Sequence, residues 1–365
     1  MTLDVGFLGY RFMGKAHANA LARLPMFFPD APATNRDVLV GRSEAAVRDA
    51  ADRFGFDRVA TDWRDVIDEV DVFYNLGPNH VHAEPTIAAL ESDVHVLCEK
   101  PLAPDIETAR AMRDAARASD ALAATGFNYR YVPALQLAKR LVDRGELGRI
   151  YRVKGRCLQD WLADPTLPWN WRCDAEVSGT GVVGDVGSHT IDLARWLVGD
   201  IDRLSGSLAT QVTERPDPDG DGTRPVTTDD EYSALVEFEN GAEGVLEGSR
   251  IATGRKADNA IEIYGSEGAL TFSLRRLNEL QVKGTDDRGY QQVLVTDDDD
   301  PYMDRWWPAG HVVGWEHTFV HENYEFLSAV ADGERYRPDF EDGVAVQRVV
   351  EAIRESDDRG EWVTV

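Results

Sequence analysis

Lys100, Asp185 and His189 are the side chains whose types and settings best suit chemistry. The run "VHVLCEKPLA" at 94–103 reads as a buried strand that stops at Glu99-Lys100-Pro101. The chain holds only six lysines, so one at the end of a buried strand, between an acid and a proline, needs a cause. In "GDVGSHTIDLARWL", Asp185 and His189 stand four apart, at a glycine-rich entry that gives way to a helix near Ser188. If helical turns already begin near Val186, both face one side, one turn apart. A carboxylate beside an imidazole orients the ring and supports its charged form, so the pair can take a proton from a hydroxyl. A lysine supplies a compact cation that steadies a developing oxyanion or relays a proton. Glu99 would keep Lys100 charged or placed, and Pro101 would fix the backbone. The plainer alternatives are an N-capping Asp185 with a core histidine, and a Lys100 that merely ends a strand at the surface.

The elements that must position these residues fall into two regimes. Up to about Gly126, strand patterns alternate with helical ones, which predicts parallel βαβ units and a doubly wound sheet. "GFLGYRFMG" follows the first strand and opens the first helix, the setting of a dinucleotide fingerprint. Gly9 makes the tight turn and Gly14 allows close helix packing. Arg11, Phe12 and Met13 lie between them, with Arg11 in the place of the middle glycine. The helix N-terminus would take a pyrophosphate. The second strand ends in Gly41-Arg42-Ser43 with no carboxylate, which favours NADP over NAD. "NLGPNHVHAEP" ends another strand, placing Leu76, Gly77, Asn79 and His82 toward the ligand crevice. With a nicotinamide held there, His189 as base and Lys100 as cation suit hydride removal from an alcohol carbon.

Beyond Gly126 the pattern is of an α+β domain with a large, mostly antiparallel open sheet. Asn240-Gly241 and Gly265–Gly268 mark hairpins. The stretch 214–225, "ERPDPDGDGTRP", reads as a turn-rich acidic loop. The predicted division is 1–126 for nucleotide binding and 127–365 for substrate binding and oligomerisation. Gln159, Trp171 and Arg172, in loops before Asp185, are candidates for bonding or stacking on a polyol ring, and His311, Trp315 and His317 are candidates for lining the same pocket or an interface. No metal-ligand spacing is present; "HTFVH" lacks the glutamate of a zinc-protease helix.

"GYRFMGKAH", "GPNHVHAE", "CEKPLA", "GFNYRYVP" and "GDVGSHTIDLARWL" together resemble the Gfo/Idh/MocA family of oxidoreductases. "LPMFFPDAPA" and "GHVVGWEHTF" are most similar to its levoglucosan dehydrogenase-like branch. The resemblance implies a Rossmann domain followed by an open-sheet domain. It implies that Lys100, Asp185 and His189 act together on a sugar, anhydrosugar or cyclitol, and that Asn128 lies beside the nicotinamide. It further implies a homodimer or homotetramer. The same residues would also serve a glycosidase that oxidises its substrate transiently and restores the cofactor. A non-catalytic sensor would have lost the base or the lysine.

Charge is extreme: 39 basic against 65 acidic side chains, a net charge of −26. Such a surface repels nucleic acid and anionic membranes. No apolar run approaches the ~20 residues of a membrane span, and a cytoplasmic location is expected. Three cysteines, Cys98, Cys157 and Cys173, match no zinc pattern and read as buried thiols. Self-repulsion of this size is relieved by salt. The unfolding midpoint temperature is therefore expected to rise in molar KCl; a midpoint indifferent to salt would count against a salt-adapted surface.

Overall fold

The computed structural model describes residues 2–365. It divides into two compact units: residues through Tyr131 with Gly314–Ala345, and Val132–Val313 with Val346–Val365.

In the first unit the order is β1 (Thr2–Leu8), α1 (Phe12–Phe27), β2 (Ala33–Val40), α2 (Glu44–Phe54), β3 (Arg58–Ala60), β4 (Val72–Asn75), α3 (Ala83–Glu91), β5 (His95–Glu99), α4 (Ile106–Ala118) and β6 (Ala123–Gly126). The strands form one parallel sheet in the order β3-β2-β1-β4-β5-β6. This is the doubly wound architecture expected from the sequence. The central residues of β1, β4 and β5 are apolar because helices cover both faces of the sheet. Val38, Val40, Phe73, Val96 and Cys98 from the sheet pack with Leu90, Ala109 and Met112 from α3 and α4. Strand order reverses between β1 and β4, so their C-terminal ends diverge into a crevice, the place where such sheets bind ligands.

The second unit opens with α5 (Pro133–Asp143), β7 (Ile150–Leu158), the short α6 (Ala175–Ser178) and α7 (Ser188–Val198). Then come β8 (Ile201–Ala209), β9 (Glu214–Pro216), β10 (Thr223–Pro225), β11 (Glu231–Phe238), β12 (Glu243–Ser249), β13 (Asp258–Gly265), β14 (Ala269–Ser273), β15 (Glu279–Lys283) and β16 (Gln291–Leu294). The chain ends with α8 (His317–Asp332), α9 (Phe340–Arg359) and β17 (Val363–Thr364). Nine strands make one open sheet, β16-β15-β14-β13-β7-β12-β11-β8-β17. β7 and β12 pair in parallel and the other ladders are antiparallel, as the alternating pattern foretold. On β11, Tyr232, Ala234, Val236 and Phe238 are buried while Ser233 and Leu235 face out. α7 packs on β7 and β13. The Asn240-Gly241 turn closes the β11–β12 hairpin, with Gly241 at φ 82°.

Two expectations are corrected. The stretch Gly314–Ala345, placed by the sequence reading in the second domain, clusters with the first half of the chain. α8 buries Phe319, Val320, Phe326 and Leu327 and packs on α1, a long-range match that no local pattern reveals. The acidic loop 214–225 is a small hairpin of β9 and β10. Arg215 anchors it: fully buried, its guanidinium donates to the carbonyls of Leu162 (2.6 Å) and Asp164 (2.9 Å).

Arg250 and Asp230 form an ion pair at 3.0 Å with both side chains inaccessible to water. Arg250 also donates to Thr228 Oγ1 (2.7 Å) and to the carbonyl of Arg172 (3.1 Å). Asp230 accepts from the backbone N–H groups of Gln211 and Val212 at 3.0 Å each. Such a pair is tolerated only when its remaining valences are filled, and losing one partner strands the other. Arg250→Met should lower unfolding free energy by ~3–5 kcal/mol, read by urea denaturation; a loss under about 1 kcal/mol would show that water replaces the pair.

Candidate active site

The first unit builds a nucleotide site from the ends of its parallel strands. Gly9 has φ 114°, and a Cβ there would meet the Leu76 carbonyl oxygen at 2.8 Å. The turn after β1 thus lies directly against the chain leaving β4. A Cβ on Gly14 would collide with the Gly9 carbonyl, so α1 starts hard against the turn. Arg11 is the N-cap residue; its side chain makes no cap bond and the first helical turn holds no acid. The leading N–H groups of α1 are therefore open to an anion. Arg11 and Phe12 are exposed and Met13 is half-buried. These residues fit a dinucleotide pyrophosphate.

Gly41 has a physical cause. A side chain there would run into the Tyr10 ring, whose Cδ1 would lie 2.6 Å from the added carbon, and into Val47 at 3.0 Å. Tyr10, from the glycine turn, occupies the space that a carboxylate at the end of β2 would need. Arg42 and Ser43 beside it are exposed, and the Ser43 hydroxyl makes no cap bond to α2. The His80 imidazole is held below its usual pKa, by burial first and then by the charge of Arg42.

Beyond β4, Asn75 is fully buried and its amide donates to the carbonyl of His82 (2.9 Å) and to Thr86 Oγ1 (3.1 Å). The Leu76 N–H donates to the Leu8 carbonyl at 2.9 Å. Leu76 and Asn79 are buried and Gly77 is partly open. His82 corrects an expectation. It is only 1% exposed, with Nε2 3.0 Å from the Gly77 carbonyl and Nδ1 3.1 and 3.2 Å from those of Pro101 and Leu102. Burial lowers its pKa, and the carbonyls pull the other way. His82 staples the loop after β4 to the turn after Lys100 instead of facing the crevice.

Lys100 follows β5 directly and is partly exposed. Glu99 turns inward: its Oε2 accepts the Lys100 backbone N–H at 3.2 Å, and its Oε1 lies 3.2 Å from His17 Nε2. Asn128 sits on the 3-10 turn after β6, where its amide donates to Thr318 Oγ1 at 2.8 Å. Trp315 and His317, grouped with His311 in the sequence reading, fall in the first unit while His311 falls in the second. Trp315 stacks on Phe12 with centroids 5.4 Å apart and planes within 7°. His317 Nδ1 accepts the Gly314 N–H at 3.1 Å. His321 bonds the Tyr131 carbonyl at 2.9 Å, and burial drives its pKa down to about 3.

In the second unit, Asp185 and His189 straddle a change of helix type. Residues Val183–Gly187 wind as a π turn that leads into α7 at Ser188. Such turns widen the helix locally and re-aim side chains. Asp185 pairs with Arg172, Nε to Oδ1, at 3.5 Å. The Arg172 guanidinium also lies 4.3 Å over the Trp171 ring. Two residues singled out from the sequence are thus brought together. Gln159 is fixed by its backbone, which donates to the Ser249 carbonyl and accepts from Ala252, both at 2.8 Å. Asp229, which sequence reasoning missed, accepts from the N–H groups of Gly181 (2.8 Å) and Val183 (2.9 Å) and so holds the π turn. Arg250 and Thr228, also missed, hold the Arg172 carbonyl at 3.1 and 2.9 Å. Nothing local in the run "PVTTDDE" at 225–231 marks such partners; only the fold does. Cys98, Cys157 and Cys173 are buried, as the sequence reading expected of its thiols. Among the described residues no cluster of three metal-type ligands occurs, and no helix is long and apolar enough to cross a membrane.

Residues 3–127 match the model of the "Oxidoreductase family, NAD-binding Rossmann fold", and 135–271 match the "GFO/IDH/MocA C-terminal domain". The levoglucosan dehydrogenase of Pseudarthrobacter phenanthrenivorans is 40% identical over 383 residues, covering 100% of this chain and 98% of that protein. A solved structure of levoglucosan dehydrogenase in complex with NADH and levoglucosan superposes with TM-score 0.97 at 40% identity, covering 100% and 99% of the two chains. An oxidoreductase domain protein from Kribbella flavida gives TM-score 0.96 at 42% identity, with the same coverage. The nucleotide turn is thus that of an NAD-binding domain. The chain belongs to the Gfo/Idh/MocA family of oxidoreductases and is an NAD(P)-dependent dehydrogenase of the sugar and cyclitol type.

Proposed function

We propose that the chain oxidises a secondary alcohol of an anhydrosugar, with Lys100, Asp185 and His189 as its reacting residues. The observation that carries the role assignment is the π turn that sets Asp185 just before the helix bearing His189, with Arg172 on the carboxylate. His189 takes the hydroxyl proton, and Asp185 orients its ring. Lys100 steadies the oxygen as it becomes a carbonyl. When bound, the nicotinamide accepts the hydride from the same carbon. Gln159 and Arg172 contact the sugar hydroxyls, with Arg172 also setting the pose of Asp185. The full-length likeness to a levoglucosan dehydrogenase supports the substrate class and favours oxidation over a cofactor-restoring glycosidase or a sensor.

Arg42 and Ser43 take the 2′-phosphate of NADP in this reading. Their exposure supports it, as does the Tyr10 ring that denies residue 41 a carboxylate. The exposed Tyr151 and Leu235 on the open sheet support assembly into a homodimer or homotetramer.

Turnover is tested with levoglucosan and related sugars and cyclitols, following absorbance of the reduced nicotinamide with NAD or NADP. Lys100→Ala and His189→Ala are each expected to lower kcat by about 10²–10⁴; near-wild-type turnover in either would remove that residue from the mechanism. Cofactor choice is read by titration calorimetry. Gly41→Asp should weaken NAD by at least about tenfold, a cost of ~1.4 kcal/mol. The companion change Tyr10→Ala should restore NAD affinity to the double variant. Unchanged binding by Gly41→Asp alone would show that Tyr10 does not guard the position.

A further inference from the structure

We infer that His17 and Asn323 are positioning residues for Lys100, acting through the Glu99 carboxylate; the catalytic consequence rests on the reading of Lys100 given above. The argument follows the direction of each hydrogen bond. Asn323, on α8, has Nδ2 2.7 Å from the Phe319 carbonyl, which can only accept. That fixes the orientation of the amide. Its Oδ1 then accepts from the Tyr74 hydroxyl at 2.7 Å. The same Nδ2 lies 3.0 Å from His17 Nδ1, which must therefore present a lone pair. The ring proton belongs on Nε2, and Nε2 donates to Glu99 Oε1 at 3.2 Å. Glu99 Oε2 accepts the Lys100 N–H at 3.2 Å. An unbroken, directed chain thus runs from α8 to the Lys100 backbone, inside one unit.

Two further observations show that this chain is built. It is dry: His17 and Asn323 are 0% exposed and Glu99 is 5% exposed. The His17 ring is walled by Phe7, Tyr74 and Phe319, with centroids 6.4, 5.4 and 5.2 Å away. Water cannot take over a lost bond there, and a buried carboxylate without its donors is costly. Room is also reserved for the carboxylate. Gly126 pairs with Glu99 across β5 and β6, and a Cβ on it would come within 3.2 Å of Glu99 Cδ and 3.3 Å of Oε2.

The tautomer is tested first in the unaltered protein. Histidine ¹⁵N chemical shifts, assigned by loss of the His17 signal in His17→Gln, should place the proton on Nε2; a proton on Nδ1 would overturn the chain. Asn323→Asp is the second test, because a carboxylate accepts from Nδ1 where the amide donated to it, which changes the tautomer or the charge of the ring that faces Glu99. With levoglucosan and NAD or NADP, kcat is expected to fall by about tenfold, ~1.4 kcal/mol of transition-state stabilisation. Substrate KM and cofactor Kd should stay within about twofold. His17→Gln, which can still donate to Glu99, should retain most of kcat. The rate of amine-selective labelling at Lys100, read by mass spectrometry, should change in Asn323→Asp and remain near wild type in His17→Gln. Wild-type kcat and labelling in folded Asn323→Asp would overturn the inference. If Lys100→Ala leaves turnover intact, the role of Lys100 falls, while altered labelling in Asn323→Asp still reports the tether.

Discussion

The contact between the Gly9 turn and the Leu76 carbonyl is the constraint from which the first unit's geometry follows. β1 and β4 are neighbours at the point where strand order reverses, and both chains must leave the sheet there without clashing. A residue with no side chain and a positive φ lets one pass over the other. Once the turn is that tight, α1 begins at once, and its free N–H groups end up beside the strand ends. The loop after β4 is then held by buried amide and imidazole bonds from Asn75 and His82. These bonds also reach the turn that follows Lys100, so the nucleotide turn and the lysine share one rigid frame.

The second unit solves a similar problem with charge. Its informative loop, from Gln159 to Arg172, has no regular strand or long helix to hold it, although Leu162 is buried. It is held from below by Arg250, Asp230, Thr228 and Asp229, which together satisfy backbone groups at the π turn and at Arg172. Placing charges under a loop is costly unless every valence is used. Here the bonds of Asp230 and Arg250 account for that cost. The molecule therefore keeps two kinds of acidic residue: many on the surface, where water and salt attend to them, and a few inside, among them Asp229 and Asp230 with their backbone N–H donors.

Much of this was legible from residue order. The βαβ alternation, the Asn240-Gly241 hairpin and the glycine turn are local patterns, and local patterns survive in a sequence. Asp185 and His189 could be singled out as candidates because helical spacing is local too. What escaped notice was set by distant partners. Nothing near 317–332 says that α8 packs on α1, and nothing near 214–225 says that Arg215 will bury itself and order a hairpin. His82 looked crevice-facing because its position after a strand suggested it; three carbonyls from two other segments claimed it. The π turn was hidden because glycine-rich entries to helices rarely declare their winding. His17 and Asn323, 306 positions apart, could be joined only by the fold.

The Tyr10 ring that fills the space beside Gly41 has an evolutionary consequence. A carboxylate at the end of β2 is one substitution away in sequence but blocked in space until the ring withdraws. Change at these two positions is therefore ordered: the tyrosine must shrink first, and only then does an acid at 41 become accessible. A lineage that keeps the tyrosine is held to cofactor chemistry that does without that acid, whatever selection acts on the strand end itself. What residue 41 can carry is thus decided in the glycine turn, one strand away from the position itself.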